Sequence, residues 1–169
     1  MLFYTQTAVE KKNLLGDNSM KKVILYILYW ILSLTWGIIM TIIGAFAAFG
    51  LLISKHKPYR LGPNIYFKVG ENWGGVNFGP FFITDSTPTD HTRMHEAGHG
   101  LQNILYGPLF PFIVAIPSAT RYWYREYIWR HRRTEYWDLP DYDAIWFEGQ
   151  ATKWGTKIYS KIINEKKEG

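Results

Sequence analysis

Cysteine is absent from the chain, and histidine is scarce, with five residues among 169. Without cysteine the protein has no disulfide bonds, no thiolate nucleophile and no cysteine-ligated zinc. Any metal centre must therefore use histidine and carboxylate ligands. Internal repeats and low-complexity tracts are also lacking, so they give no indication of function.

Apolar and aromatic residues are plentiful instead, at 47% and 18% of the chain, while the formal net charge is +5. This combination is typical of a membrane-facing protein and disfavours a soluble nucleic-acid binder. The length suits one domain with one sizeable core.

The longest apolar run, residues 23–53, contains no charged side chain. As a helix it would be roughly 46 Å long, more than the roughly 30 Å hydrocarbon core of a bilayer. The sequence therefore predicts one transmembrane helix over residues 22–54, with tilt or a bend near Gly44 or Gly50 to absorb the excess. Two alternatives are a signal peptide that begins at Met20 and a buried core helix, and both are disfavoured by the length of the run.

Basic residues flank both ends of the predicted span, so the positive-inside rule does not decide its orientation. They are Lys11, Lys12, Lys21 and Lys22 before the span and Lys55, Lys57, Arg60 and Lys68 after it. The downstream arginines favour a cytoplasmic C-terminal domain. They are Arg121, Arg125, Arg130, Arg132 and Arg133.

Two strands are predicted after the span, over residues 64–69 and 76–84, on either side of a glycine-rich turn. They would pair as a short antiparallel sheet. Pro80 makes the second strand an edge or a bulge. An exposed edge can bind an extended peptide as an additional strand. With the helices predicted on both sides, the expected fold class is α+β.

Residues 95–99 read HEAGH, in the middle of a helix predicted over residues 88–106. On a helix, His95 and His99 project from one face on successive turns and can reach a single metal ion. Glu96 lies about a hundred degrees around the helix, where its carboxylate can take a proton from water without being a ligand. This spacing predicts a zinc site.

Other residues of this helix fit the same interpretation. Gly98 costs about 1 kcal/mol in mid-helix relative to alanine, which indicates close approach of another element or of a substrate. The alternative, two helix histidines satisfied by hydrogen bonds alone, does not explain this glycine. His91 shares the face but lies too far along the helix for the same ion, and is expected to be a supporting or surface residue. Thr87 is the expected N-cap, with Pro88 in the first turn.

A zinc site needs a third protein ligand beyond the two histidines. The downstream acidic candidates are Glu126, Glu135, Asp138, Asp141, Asp143 and Glu148. Glu148 is preferred because it lies in a helix predicted over residues 141–154, where Gly149 and Ala151 would let two backbones approach closely. Asp141 and Asp143 are interpreted as first-turn partners of the helix dipole, and Glu135 as an ion-pair partner of arginines.

These residues carry a resemblance to a known family. HEAGH followed by a distant helical glutamate with a small residue three positions later, Glu148 and Ala151, resembles the gluzincin branch of the zincin metallopeptidases, to which thermolysin belongs. The segments HEAGHGLQNILYGPLFPFIVAIPS and WFEGQATKWG also look like a group of small bacterial membrane proteins of zincin type. The likeness covers residues 72–155.

The resemblance implies one Zn²⁺ bound by His95, His99 and Glu148, with Glu96 as the general base or acid in peptide hydrolysis by metal-activated water. Thermolysin-like enzymes have an aspartate four residues after the ligand glutamate to orient a histidine, and this chain has Thr152 there. The weaker candidates for stabilising the oxyanion are Tyr142, His131 and Tyr159.

Residues 107–117 are apolar but contain three prolines and are too short to cross a bilayer. Residues 121–133 interleave aromatics with arginines, the composition of a helix that lies at the lipid headgroups. Residues 107–133 are therefore predicted to be a re-entrant or interfacial segment. The alternatives are a buried loop for the first part and stacking on single-stranded nucleic acid for the second.

The sequence thus predicts a membrane-anchored zinc metallopeptidase with a polar segment (1–21), a span (22–54), a zincin-like domain (55–166) and a tail (167–169). Its partners would be the lipid bilayer and a peptide or membrane-protein substrate, with no nucleic acid. The alternative is a non-catalytic membrane protein in which the metal is a structural staple, or a scaffold without metal. Glu96 favours the enzyme, because a structural site has no use for a general base.

Overall fold

A computed structural model of the chain describes residues 2–131 and 138–168, and the side chains of residues 19–131 and 138–164. These parts contain five α-helices and a four-stranded sheet, which confirms the expected α+β class. The helices are α1 (Leu2–Thr35), α2 (Ile38–Ile53), α3 (Asp90–Tyr106), α4 (Ile116–His131) and α5 (Trp146–Glu168). The strands are β1 (Tyr59–Leu61), β2 (Asn64–Lys68), β3 (Gly75–Phe78) and β4 (Phe81–Thr84). Of the residues interpreted above, Arg132, Arg133, Glu135 and Gly169 lie outside the described residues.

The apolar run folds as two helices, α1 and α2, rather than as the one helix predicted over residues 22–54. They meet at a 98° bend at Trp36 and Gly37, not at either of the glycines considered from the sequence. A Cβ at position 37 would overlap the side-chain amide of Asn103 on α3, so glycine lets the bend pack closely against that amide. The bend therefore depends on a contact that is distant in sequence.

Side chains bind main-chain carbonyls on both sides of the bend. Thr41 Oγ1 lies 2.8 Å from the carbonyl oxygen of Ser33 and 2.9 Å from that of Gly37. Asn103 Nδ2 also donates to the Gly37 carbonyl, at 3.3 Å. Such substitutes are what a broken helix in an apolar environment requires.

Within the described residues, no single helix is both long and apolar enough to cross a bilayer by itself. Two bent pairs have the length and the composition when their halves are taken together. One pair is Ser19–Thr35 with α2, and the other, bent by 117°, is Asp90–Leu109 with Pro111–His131.

The strands form one mixed sheet in the order β1-β2-β4-β3. β2 and β4 are parallel, whereas the other two pairs are antiparallel, so the predicted antiparallel sheet holds only in part. The second predicted strand is divided at Gly79 and Pro80, which form the turn between β3 and β4. Because β3 comes last in the strand order, it lies at one edge of the sheet. There Asn77 Nδ2 donates to the carbonyl of Glu96 on α3 at 2.8 Å.

The core has two parts, and α3 lies between them. One part packs the sheet against α3 and α5, and it is formed by Leu61, Tyr66, Phe82, Ala97, Tyr159 and Ile163. The other joins α2, a π-helical turn (Pro111–Ala115) and the start of α5, and it is formed by Met40, Phe110, Val114 and Phe147. The segment predicted to be re-entrant thus contributes to the core through Phe110 and Val114.

α3 and α5 pack at very close range through small residues. A Cβ at Gly98 would overlap the main chain at Ala151, and a Cβ at Gly155 would overlap the carbonyl of Met94. The close approach that Gly98 predicted is therefore present, and the approaching element is α5. This packing sets the distance between the HEAGH residues on α3 and Glu148 on α5.

Candidate metal centre

The local sequence determines which face of α3 points toward α5. The helix begins at Asp90, with Thr89 rather than Thr87 as its N-cap, and the Thr89 hydroxyl accepts a hydrogen bond from Thr92 N at 3.0 Å. His95 and His99 follow on one face, and both are buried. α5 begins at Trp146, later than predicted, so Glu148 lies in its first turn.

Three ligand atoms meet between the two helices. His95 Nε2 and His99 Nε2 are 3.1 Å apart, and each lies 3.1 Å from Glu148 Oε2. Tetrahedral zinc with ligands at about 2.0–2.1 Å places its ligand atoms about 3.3 Å apart. This buried group could therefore hold a metal ion with little rearrangement.

The tautomer of His99 is fixed by Gln102, one turn further along α3. Gln102 Nε2 donates to the carbonyl of Phe147 at 2.7 Å and to Gln150 Oε1 at 2.9 Å. Because the Phe147 carbonyl can only accept, the other end of the amide, Oε1, faces His99 Nδ1 at 2.7 Å. His99 Nδ1 must donate to it, which leaves the Nε2 lone pair of the neutral ring directed at His95 and Glu148.

His95 is oriented by a relay of two side chains. The Thr152 hydroxyl donates its one proton to Asp143 Oδ2 at 2.7 Å, so its oxygen must accept from His95 Nδ1, also at 2.7 Å. The Nε2 lone pair of His95 then faces the same point as that of His99. Thr152 thus contacts His95 directly, and the Asp143 carboxylate acts on His95 through the Thr152 hydroxyl.

The two relays bring lone pairs and a carboxylate together with no proton between them. Neutral His95 and His99 both present acceptors, and Glu148 Oε2 is an acceptor as well. Three buried acceptors at this spacing could hold a cation.

Glu96 lies beside the three ligand atoms but is not one of them. It is buried, and its Oε2 has no hydrogen-bond partner among the described residues. Its carboxylate lies against Gly75 at the start of β3, where a Cβ would come within 2.6 Å of Glu96 Oε1. The edge strand and the carboxylate therefore meet on one side of the site.

A cavity of about 700 Å³ opens onto this arrangement. His95, Glu96 and His99 line it, and so does Tyr142, whose hydroxyl lies 3.2 Å from Ser118 Oγ. Burial raises the pKa of Tyr142 above its ordinary value, so the phenol keeps its proton and can donate it in a hydrogen bond. Among the weaker candidates, Tyr142 is the one that reaches the cavity.

The two other weak candidates lie elsewhere. Tyr159 is buried in the core next to the sheet, and its hydroxyl accepts from Asn64 Nδ2 at 3.0 Å. His131 is exposed at the end of α4 and contacts Tyr127. Neither residue lines the cavity.

Arginines of α4 hold the loop that carries Tyr142 and Asp143. Arg121 donates to the carbonyls of Asp141 at 2.7 Å and Tyr142 at 3.1 Å, and Arg125 donates to the carbonyl of Pro140. These guanidiniums thus bind protein carbonyls. α4 therefore supports the site through its contacts with the loop.

No protein-family model, curated protein or solved structure matches the chain.

Two contributors to the site were missed from the sequence. Gln102 has a local signal, because it lies three residues after His99 and so shares its helix face. Asp143 has no local signal, because it reaches Thr152 only through the fold and is not a first-turn residue of the helix as predicted. His91, expected to be a supporting or surface residue, is exposed, with its Nε2 at 3.6 Å from Asp143 Oδ2.

The relay predicts the effect of a change that leaves all three ligands in place. In Thr152→Val the side-chain shape is kept but the hydroxyl is lost, so His95 loses its orienting partner. We expect the zinc dissociation constant, measured by chelator competition on the full chain, to rise about 10–100-fold. Thr152→Ser retains the hydroxyl and should bind zinc like the wild type. Equal affinity in the valine variant would contradict the relay.

Proposed function

We propose that this chain is a membrane-anchored zinc metallopeptidase. The observation that carries the proposal is the meeting of His95 Nε2, His99 Nε2 and Glu148 Oε2 at mutual distances of 3.1 Å, beside Glu96 and a cavity. Two histidines and one carboxylate are a ligand set that suits zinc.

The number of ligands supports an enzyme rather than a structural staple. Structural zinc sites have four protein ligands and are closed, whereas catalytic sites have three and leave one position open. Here three ligand atoms converge within the described residues, and both histidines line the cavity. Beside them, the buried Oε2 of Glu96 has no hydrogen-bond partner among the described residues, which lowers the stability of the fold. A purely structural metal site gains nothing from such a group, whereas a catalytic site can use it to take a proton from water.

The proposed chemistry is addition of water to a peptide carbonyl. Zinc, when bound, would supply a Lewis acid. Glu96 takes a proton from a water molecule in the cavity as the oxygen attacks the carbonyl carbon, and it returns the proton to the departing amine nitrogen. The Tyr142 hydroxyl, which keeps its proton, is the candidate to donate to the carbonyl oxygen as negative charge develops.

Membrane association is supported by the surface of α1 and α2. Both helices expose many large apolar side chains, among them Ile24, Leu25, Ile27, Ile31, Ile42, Phe46, Phe49 and Ile53. Water-soluble monomers rarely expose so large a continuous apolar surface. We propose that the bent pair of α1 and α2 inserts into the bilayer and anchors the zinc-binding domain to it.

The proposal is tested by hydrolysis in detergent, where apolar and polar peptides both reach the site. The purified full chain is loaded with zinc and incubated with a peptide library, and new termini are identified by mass spectrometry. We expect cleavage that a chelator abolishes and that added zinc restores. Zinc-loaded protein that cleaves none of the library would contradict a peptidase.

A further inference from the structure

The cavity has polar side chains at its floor, next to the candidate metal centre, and mostly apolar side chains along its walls. The floor carries the polar residues His95, Glu96 and His99, whereas α2 contributes Met40 and Ile43 to one wall. The π-helical turn and the start of α4 contribute further apolar side chains. A cavity of about 700 Å³ with this lining suits an apolar ligand that places one polar group at the floor.

Large apolar side chains from α2 and α4 line the cavity where it opens, together with the exposed His91. Ile43, Ile116 and Trp123 line the cavity, and yet 46%, 57% and 69% of their respective surfaces remain exposed. Ile43 lies on the helix that also exposes Phe46 and Phe49. An apolar ligand can therefore pass from the surface of α2 into the cavity without leaving apolar surroundings.

The edge strand β3 offers main-chain hydrogen-bond partners to an apolar polypeptide inside the cavity. A chain segment in an apolar environment cannot leave its N–H and C=O groups unpaired. β3 lies at the edge of the sheet, its Gly75 adjoins Glu96, and Val76, Asn77 and Phe78 line the cavity. An extended segment that adds to this edge would have its main chain paired next to Glu96.

α2 packs closely against the end of β3 and the start of β4. A Cβ at Gly44 would lie 2.6 Å from the carbonyl oxygen of Phe78 and 2.9 Å from the Phe81 ring. The helix that we propose to be inserted in the bilayer thus directly adjoins the end of β3. Entry from the bilayer and pairing with the edge strand involve the same region of the protein.

We infer that the cavity receives its substrate from the bilayer, and that the substrate is an apolar, membrane-inserted polypeptide segment that unwinds to pair with β3. This inference rests on the proposed function and specifies its substrate class. A water-soluble peptide, a lipid molecule and a second copy of the chain are the competing occupants.

Photo-crosslinking tests the inference without requiring turnover. The zinc-loaded full chain carrying Glu96→Gln receives a benzoylphenylalanine at Ile43 and is reconstituted in phosphatidylcholine vesicles. The probe is a fluorescent leucine–alanine peptide of about 20 residues with lysines at both ends, long enough to span the bilayer. The matched control carries the same photoreactive group at Ile53, which is 67% exposed on the same helix but does not line the cavity.

We expect the probe to crosslink at Ile43 about tenfold more than at Ile53, because residence in the cavity raises its local concentration. An excess of a soluble glycine–serine peptide should not reduce the yield. Equal yields at the two positions would overturn the inference, as would competition by the soluble peptide or crosslinks mainly to lipid or to a second chain. If the protein crosslinks the probe selectively at Ile43 but hydrolyses no peptide in detergent, entry of the apolar segment into the cavity is supported. The proposed peptidase activity is then refuted.

Discussion

Glu96→Gln is expected to lower peptide hydrolysis by about 10²–10⁴-fold while the bound zinc remains at the wild-type level. The amide keeps the shape of the side chain but cannot take a proton from water. Zinc binding is retained because the ligand atoms belong to His95, His99 and Glu148, and Glu96 lies beside them against Gly75. The measurement pairs the rate of cleavage of one library peptide with the zinc content of the same preparation.

The control for this variant is Glu71→Gln, which makes the same chemical change at an exposed glutamate outside the cavity. It should hydrolyse the peptide at the wild-type rate. Hydrolysis that persists in Glu96→Gln would remove Glu96 from the proposed chemistry. Loss of zinc from that variant would show instead that Glu96 is needed to form the site.

Gly98→Ala is expected to destabilise the protein by about 1–3 kcal/mol, because the added methyl group overlaps the main chain of α5 at Ala151. An intrinsic gain in helix propensity of about 1 kcal/mol is included in this range. For a chain of this size, the melting temperature should fall by about 2–4 °C for each kcal/mol of lost stability. Moving α5 away from α3 also displaces Glu148, so zinc affinity should fall with stability.

Gly50→Ala is the matched control, since it makes the same change in a helix where a Cβ would have no atom within 4 Å. We expect its melting temperature to equal or slightly exceed that of the wild type, because alanine is the better helix former. A melting temperature for Gly98→Ala that is no lower than that of Gly50→Ala would contradict the close packing of α3 against α5.

Local sequence was sufficient for the parts of the site that depend on helix periodicity. The spacing in HEAGH places His95 and His99 on one face, and the small residues near Glu148 indicate which downstream helix can approach them. Gly98 indicates the close approach itself. Each of these signals lies within a turn or two of the residue it concerns, so one sequence reveals it.

The features that sequence reasoning missed depend on contacts between distant segments. An apolar run with several glycines does not reveal that the bend falls at Gly37, because the Asn103 amide that packs against Gly37 and binds its carbonyl belongs to α3. The parallel pairing of β2 with β4 is not encoded in the alternation of either strand. The role of Asp143 exists only because its loop brings it to Thr152.

The central claim is the metal site, and the most direct test is the zinc content of the purified full chain, measured by mass spectrometry beside Glu148→Ala. We expect one zinc per wild-type chain and a large loss in the variant, because removing one of three ligands leaves two histidines that do not hold zinc alone. Wild-type protein that binds no metal even after zinc is added, or a variant that keeps its zinc, would contradict the account.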